Sequence, residues 1–245
     1  MAIWVDFVKT IEKGVLKVDF CSYINVCVVF NESSDTGYMQ NNHAQMFIVS
    51  APSGAGKTSL VRRSIKELKD LTVAVSHTTR PQRPAEQDGT DYHFVSRESF
   101  ESMIDSDQFL EYAEVFGNYY GTSMGAVNES LGEGKDVILE IDWQGAAQVR
   151  QKLADVVSIF ILPPSRATLI ERLRGRGQDS DEVIDARTAE AVQEMQQYHQ
   201  ADYLIINDDF DEALSELKAV VLSHRVQKSR QALAHAGLIT SLTHD

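Results

Sequence analysis

The sequence predicts an α/β fold: a parallel sheet flanked by helices around a phosphate-binding loop, with a small antiparallel insert and an arginine-rich helical segment. Three observations predict it. From Met46 onward, apolar runs of strand length alternate with segments of helical spacing. The stretch 50-SAPSGAGKTS-59 lies where one such strand passes into a helix. Between about 77 and 135 the rhythm changes to alternating aromatic segments, and near 172–187 arginines cluster around two glycines.

The elements follow in order. 46-MFIVS-50 is a short buried-strand run, and Leu60, Val61, Ile65 and Leu68 give the next segment helical spacing. 72-TVAVS-76 is β-branched and reads as a strand. 137-VILEID-142, 156-VVSIFIL-162 and 203-YLIIN-207 are near-continuous apolar runs, the mark of strands covered on both faces. Helices are predicted at about 143–153, 165–175, 180–199 and 209–232. Strands alternating with helices imply parallel pairing through right-handed crossovers. In the insert, 91-DYHFV-95, 109-FLEYAEVF-116 and 119-YYGT-122 suggest short antiparallel strands.

The stretch 50–59 nearly spells the phosphate loop G-x-x-x-x-G-K-[ST], with Ala51 where the motif wants glycine. Such a loop works because backbone N–H groups and a helix N-terminus point at phosphate oxygens. Its lysine reaches the β- and γ-phosphates and its hydroxyl ligates Mg²⁺; here those places fall to Lys57 and Thr58. Alanine is the next smallest residue, so the departure is mild. The loop implies a nucleoside triphosphate and does not choose among enzymes that use one.

The insert narrows the choice. In 76-SHTTRPQRPAEQDGTDYHF-94, Arg80 and Arg83 stand three apart beside hydroxyls, and guanidinium forks match phosphate oxygens. The span 109–123 adds Glu111, Tyr120 and Thr122. Arg172, Arg174, Arg176 and Arg187 stand out in a chain of net charge −13, and the glycines between them would serve as a hinge. Asp142 ends its apolar strand, in the manner of a Walker-B aspartate.

Together these motifs resemble the guanylate kinases, bacterial ones most nearly. The resemblance rests on 50-SAPSGAGKTS-59, 76-SHTTRPQRP-84, 117-GNYYGTS-123, 140-EIDWQGA-146, 172-RLRGRG-177 and 206-INDD-209, and covers residues 46–245. It implies a P-loop kinase core, a GMP-binding insert at about 77–135, and a lid at about 168–192. It implies transfer of a phosphoryl group from Mg-ATP to GMP, and to dGMP. Ser53, Gly54, Ala55, Gly56, Lys57, Thr58, Ser59, Arg176 and Asn207 would bind ATP, with Thr58 on Mg²⁺. Arg80, Arg83, Tyr92 and Tyr120 would hold the GMP phosphate. Ser76, Glu111, Thr122 and Asp142 would line the guanine pocket, Asp142 being open to a second reading in magnesium organisation. Lys57, Arg80, Arg176 and Arg187 would be the catalytic cations. Ala85 departs from the family's glycine in the turn before Glu86. A guanylate-kinase-like interaction module and another nucleoside monophosphate kinase are the alternatives; retention of Lys57, Arg176 and Arg187 speaks against the first, and Glu111 against AMP as acceptor.

Bulk properties agree. In 245 residues, 43% are hydrophobic and 24% charged, which suits a globular chain. The acidic balance argues against nucleic acid or an anionic membrane as partner. Two cysteines, Cys21 and Cys27, and the lack of a basic-then-apolar leader give a cytoplasmic expectation. Homo-oligomers remain open. Residues 1–45 carry no chemistry and are expected to be an extension outside the catalytic fold, which would span 46–236 and leave 237–245 as a tail.

Overall fold

The computed structural model describes residues 9–12, 15–18, 44–115, 117–175 and 181–244. The chain divides into two compact units, Met1–Tyr38 and Met39–Asp245. In the first, strands β1 (Lys9–Glu12) and β2 (Val15–Val18) form an antiparallel pair.

The second unit is built on a five-stranded parallel sheet. Its strands are β3 (Met46–Ser50), β4 (Leu71–Val73), β9 (Asp136–Glu140), β10 (Val156–Leu162) and β11 (Tyr203–Ile206), in the order β11-β10-β3-β9-β4. β3 lies in the middle and all five of its residues are buried. Helices α1 (Lys57–Glu67) and α7 (Phe210–Arg225) pack Leu60, Val61, Leu214, Leu217 and Val221 against Phe47, Val49, Ile138, Ile159 and Ile205, which makes the main core. Burying side chains of this size supplies about 1.5–3 kcal/mol each relative to exposure.

The insert forms a second sheet, β6-β5-β8-β7, from β5 (His77–Thr78), β6 (His93–Phe94), β7 (Phe109–Val115) and β8 (Asn118–Ser123). The pairs β5–β8 and β7–β8 are antiparallel, as the aromatic alternation suggested. The pair β5–β6 is parallel instead, because the loop between them returns the chain in its original direction. Helix α2 (Arg97–Asp105) covers this sheet, with Phe100 stacked on Phe109 and Tyr119. Helix α3 (Met124–Gly132) leads back to β9, and α4 (Trp143–Lys152) follows it. Helices α5 (Arg166–Arg174) and α6 (Asp181–Met195) lie where helices were anticipated at 165–175 and 180–199 and join through Leu169, Leu173, Ala191 and Met195.

Three elements differ from expectation. The strand anticipated at 72–76 ends at Val73, and the chain enters the second sheet at His77. β11 is not covered on both faces: it is the sheet's edge, so Ile205 is buried while Leu204 and Ile206 remain 47% and 46% exposed. The helix anticipated at 209–232 breaks after Arg225, and α8 (Lys228–Ala234) and α9 (Ala236–Thr243) follow. The Arg225 guanidinium turns back to Asp136 and to the carbonyls of Lys69 and Asp70 at this break. Among the described residues no helix is long and apolar enough to cross a membrane.

Candidate active site

The site begins at the carboxyl end of β3. Gly54 and Gly56 take φ of 92° and 93°, left-handed values that β-carbon-bearing residues avoid. A Cβ on Gly56 would also meet Asn207 Nδ2 at 2.3 Å. Gly56 caps α1 without any side-chain acceptor, so the first N–H groups of that helix are left for an anion. Ala51 sits half-buried against the main core, where a small side chain fits. Asn207 lies beneath the loop, 3% exposed, and its amide donates to Ala55 O at 2.6 Å. Lys57 Nζ donates to Ile141 O at 3.1 Å. The Thr58 hydroxyl donates to the Glu140 carboxylate. Ser53 N–H donates to Glu194 Oε2 at 3.3 Å, and Ser59 follows in the first turn of α1.

A second group of side chains converges from the insert. Ser76 Oγ and Thr122 Oγ1 are 3.0 Å apart, and Thr122 donates onward to Glu111 Oε1 at 2.6 Å. A bulge in β7 explains how Glu111 gets there. Phe109 pairs with Ser123 and Glu111 with Thr122, so Leu110 is an extra residue. Strand alternation breaks, and Phe109, Leu110 and Glu111 are all buried in succession. Burial, with repulsion from Asp142, pushes the Glu111 carboxyl up to about 7, against the hydrogen bond from Thr122. Asp142 caps α4, its Oδ1 accepting Gly145 N–H at 2.8 Å.

Arg80 is the center of a third group. Its Nη2 meets Glu86 Oε1 at 2.8 Å, and its guanidinium lies 5.5 Å from the Tyr92 ring centroid. The Tyr120 hydroxyl acts electrostatically on the same guanidinium, and the Tyr92 and Tyr120 rings are 6.0 Å apart. Burial, then the nearby Glu140 charge, pushes the Tyr92 hydroxyl up to about 12. Arg83 is exposed, and its backbone N–H donates to Glu86 Oε2 at 2.9 Å. Glu86 thus ties both arginine positions into one turn, despite Ala85 beside it.

Arg187 lies on α6, on the same helix as Glu190 and Glu194. Arg176 lies outside the described residues. Arg172 Nη2 donates to Asn207 O at 3.0 Å, linking α5 to the strand end under the loop.

The sequence model of the family described as Guanylate kinase matches residues 43–224. The chain belongs to the guanylate kinase family. It is 56% identical over 202 residues to the guanylate kinase of Escherichia coli strain K12, covering 82% of this chain and 98% of that one. It is 55% identical over 197 residues to the guanylate kinase of Saccharophagus degradans, with 80% and 96% covered. A crystal structure of guanylate kinase from Anaplasma phagocytophilum superposes with a TM-score of 0.65 at 29% identity, covering 78% of this chain and 92% of that one. Within this guanylate kinase family chain, sequence reading missed four residues that the site uses: Glu86, Glu140, Gly145 and Glu194. Glu140 and Gly145 lie within the motif 140-EIDWQGA-146 with no role assigned to them from sequence: Glu140 ends a buried strand beside the loop, and Gly145 follows a capping aspartate by three.

Proposed function

We propose that the chain transfers the γ-phosphoryl group of ATP to GMP, and to dGMP, giving ADP and the nucleoside diphosphate. The observation that carries the acceptor assignment is the hydrogen-bonded series Ser76–Thr122–Glu111, ending in a buried carboxylate. Guanine presents two adjacent donors, N1–H and the N2 amine, and one carboxylate accepts both. Adenine lacks the N1 proton and would leave the Glu111 charge buried and unmatched, which is what makes such discrimination large. We assign the second Asp142 oxygen to the same base edge.

Arg80, Arg83, Tyr92 and Tyr120 are the groups assigned to the GMP phosphate. Backbone N–H groups from Ser53 through Ser59, with Lys57, are assigned to the ATP phosphates, and Asn207 keeps the loop in shape for them. Lys57 would exchange the Ile141 carbonyl for phosphate oxygens. The acceptor phosphate is already ionised, so no strong general base is needed; the protein's work is positioning and charge neutralisation. Lys57, Arg80, Arg176 and Arg187 supply that charge. Closure of the α5–α6 lid would exclude water as a competing acceptor. The Thr58 hydroxyl beside the Glu140 carboxylate is an all-oxygen set that suits Mg²⁺. When bound, the ion would supply further charge neutralisation at the donor phosphates.

The same reading takes 46–236 as the catalytic region, sets the work in cytoplasmic purine nucleotide metabolism, and needs no nucleic acid or membrane. A coupled ADP-release assay across the four nucleoside monophosphates tests it. GMP should turn over with Mg-ATP while AMP and UMP stay near background; comparable AMP turnover would sink the guanine-pocket argument.

A further inference from the structure

We propose that Gln148 and Lys152 are positioning residues for base recognition: together they hold the bulge in β7 so that Glu111 faces the base. The inference rests on the guanine-pocket reading above, and it gives work to two side chains that this reading leaves unused. β7 is the edge strand of the second sheet and pairs with β8 alone. An edge strand presents a row of N–H and C=O groups that nothing in its own sheet fixes. The bulge adds to this, because its extra residue interrupts the ladder. A slip of one residue here would turn Glu111 to the opposite face. The register that buries Glu111 therefore needs a hold from outside the sheet.

Helix α4 supplies it. Gln148 Oε1 accepts Tyr112 N–H at 3.2 Å, and its Nε2 donates to Tyr112 O at 2.7 Å. One side-chain amide thus takes both backbone groups of one residue, as a neighboring strand would. Lys152 Nζ donates to Leu110 O at 2.8 Å and to Phe109 O at 3.2 Å, the two carbonyls at the bulge itself. The residues so held stand on both sides of Glu111 in the chain. The Glu111 carboxylate in turn lies against Gly145. Gly145, Gln148 and Lys152 are three and then four apart, the spacing of one helix face. The same helix is capped by Asp142, the other carboxylate assigned to the base. One rigid element therefore carries one of these carboxylates and sets the place of the other. Neither Gln148 nor Lys152 needs to touch GMP to do so.

The test uses the full chain with Gln148→Met, Lys152→Met, Lys152→Arg, the Gln148→Met/Lys152→Met pair, and that pair in a Glu111→Gln background. Methionine keeps the length and apolar stem of each side chain and removes its polar end. The pair should lose on the order of 10²-fold in kcat/KM for GMP, each single variant about tenfold, with KM for ATP nearly unchanged. Lys152→Arg, which keeps the donors, should stay closer to the parent than Lys152→Met. In the Glu111→Gln background the pair should add little, because the hold acts through that carboxylate. The Glu111 carboxyl, followed by ¹³C NMR in the ligand-free chain, should titrate at about 7 in the parent and fall toward 4.5 in the pair. Losing the Lys152 cation would by itself raise that value, so a fall reports movement of the carboxyl toward water. An unmoved Glu111 titration in the pair overturns the proposal. So does unchanged GMP activity, or an equal loss in the Glu111→Gln background, which would mark a merely structural role. If the pair fails to fold, each single variant gives the same readings on a smaller scale. If the parent chain failed to phosphorylate GMP, the function reading would fail, while the titration would still decide whether α4 holds Glu111.

Discussion

A β-carbon placed on Gly145 would stand 2.5 Å from Oε2 of Glu111 and 3.1 Å from its Cδ. The first turn of α4 and the carboxylate on β7 are therefore fitted to each other, with glycine as the only residue that leaves the room. Gly145→Ala should push the Glu111 carboxylate out of line while Asp142 still caps the helix. Misplacement by about 1 Å at a positioning group can cost on the order of 10²-fold. The expected result is a loss of that order in kcat/KM for GMP, with KM for ATP nearly unchanged and the circular dichroism spectrum intact. Retention of full GMP activity would show that the carboxylate does not read the base.

The same carboxylate should make the protein pH-dependent. Glu111 rises from 4.5 to about 7 on folding, chiefly through burial. Its native state thus holds a proton that the unfolded chain gives up, so this contribution to stability is complete below pH 4.5 and is lost as pH rises toward 7. The loss is on the order of 3 kcal/mol. Urea unfolding of the ligand-free protein at pH 5 and pH 8 should show it, and Glu111→Gln should flatten it. GMP needs the ionised form, so its affinity should move the other way, falling about tenfold per pH unit below the Glu111 value. Calorimetry in buffers of different ionisation enthalpy should detect proton release when GMP binds.

These two residues also mark how far sequence reaches. Glu111 was legible because a carboxylate in a tyrosine-rich segment is chemically conspicuous. The loop was legible because its helix starts on a glycine, with lysine and threonine at fixed offsets. Gly145 and Glu194 were not, because each matters through a neighbor far along the chain: Glu194 lies 141 residues from Ser53. Glu86 was not, because it is the folded turn that aims its carboxylate at Arg80 and at the N–H of Arg83. The parallel core followed from apolar runs, yet β11 looked doubly covered, since an edge strand and a central one share that composition. The parallel β5–β6 pair escaped because two-residue strands carry too little pattern to give direction.

Gln45 offers a test of where the catalytic unit begins. It is 2% exposed, its N–H donates to Asp136 Oδ1 at 2.7 Å, and its side chain reaches Asp155 O at 3.0 Å and Arg230. A chain shortened to start at Met46 loses these bonds and leaves part of the buried Asp136 carboxylate unmatched. Against a chain starting at Met39, it should be less stable by about 1–3 kcal/mol. Both should keep the same kcat, since Gln45 lies at the far end of β3, about 15 Å of strand from the loop. Equal urea midpoints would show that Gln45 is dispensable; a fall in kcat would show that the strand's start is coupled to the loop.

Glu194 gives the last prediction. Its carboxylate accepts an N–H of the phosphate loop at 3.3 Å, which puts a negative charge where phosphate oxygens are assigned. Burial, then repulsion from Glu190 and Asp142, pushes it up to about 7, against the pull of Ser53 N–H and Lys57. At pH 8 the ionised carboxylate competes with ATP for the loop; at pH 6 it is protonated and competes poorly. Glu194→Gln should therefore tighten ATP binding by about fivefold at pH 8, near 1 kcal/mol, and by much less at pH 6. Comparing variant with parent at each pH cancels the titration of ATP itself. A gain of equal size at both pH values would mean that the carboxylate's charge is not what ATP displaces, and weaker binding at both would mean that Glu194 supports the loop instead of occupying it.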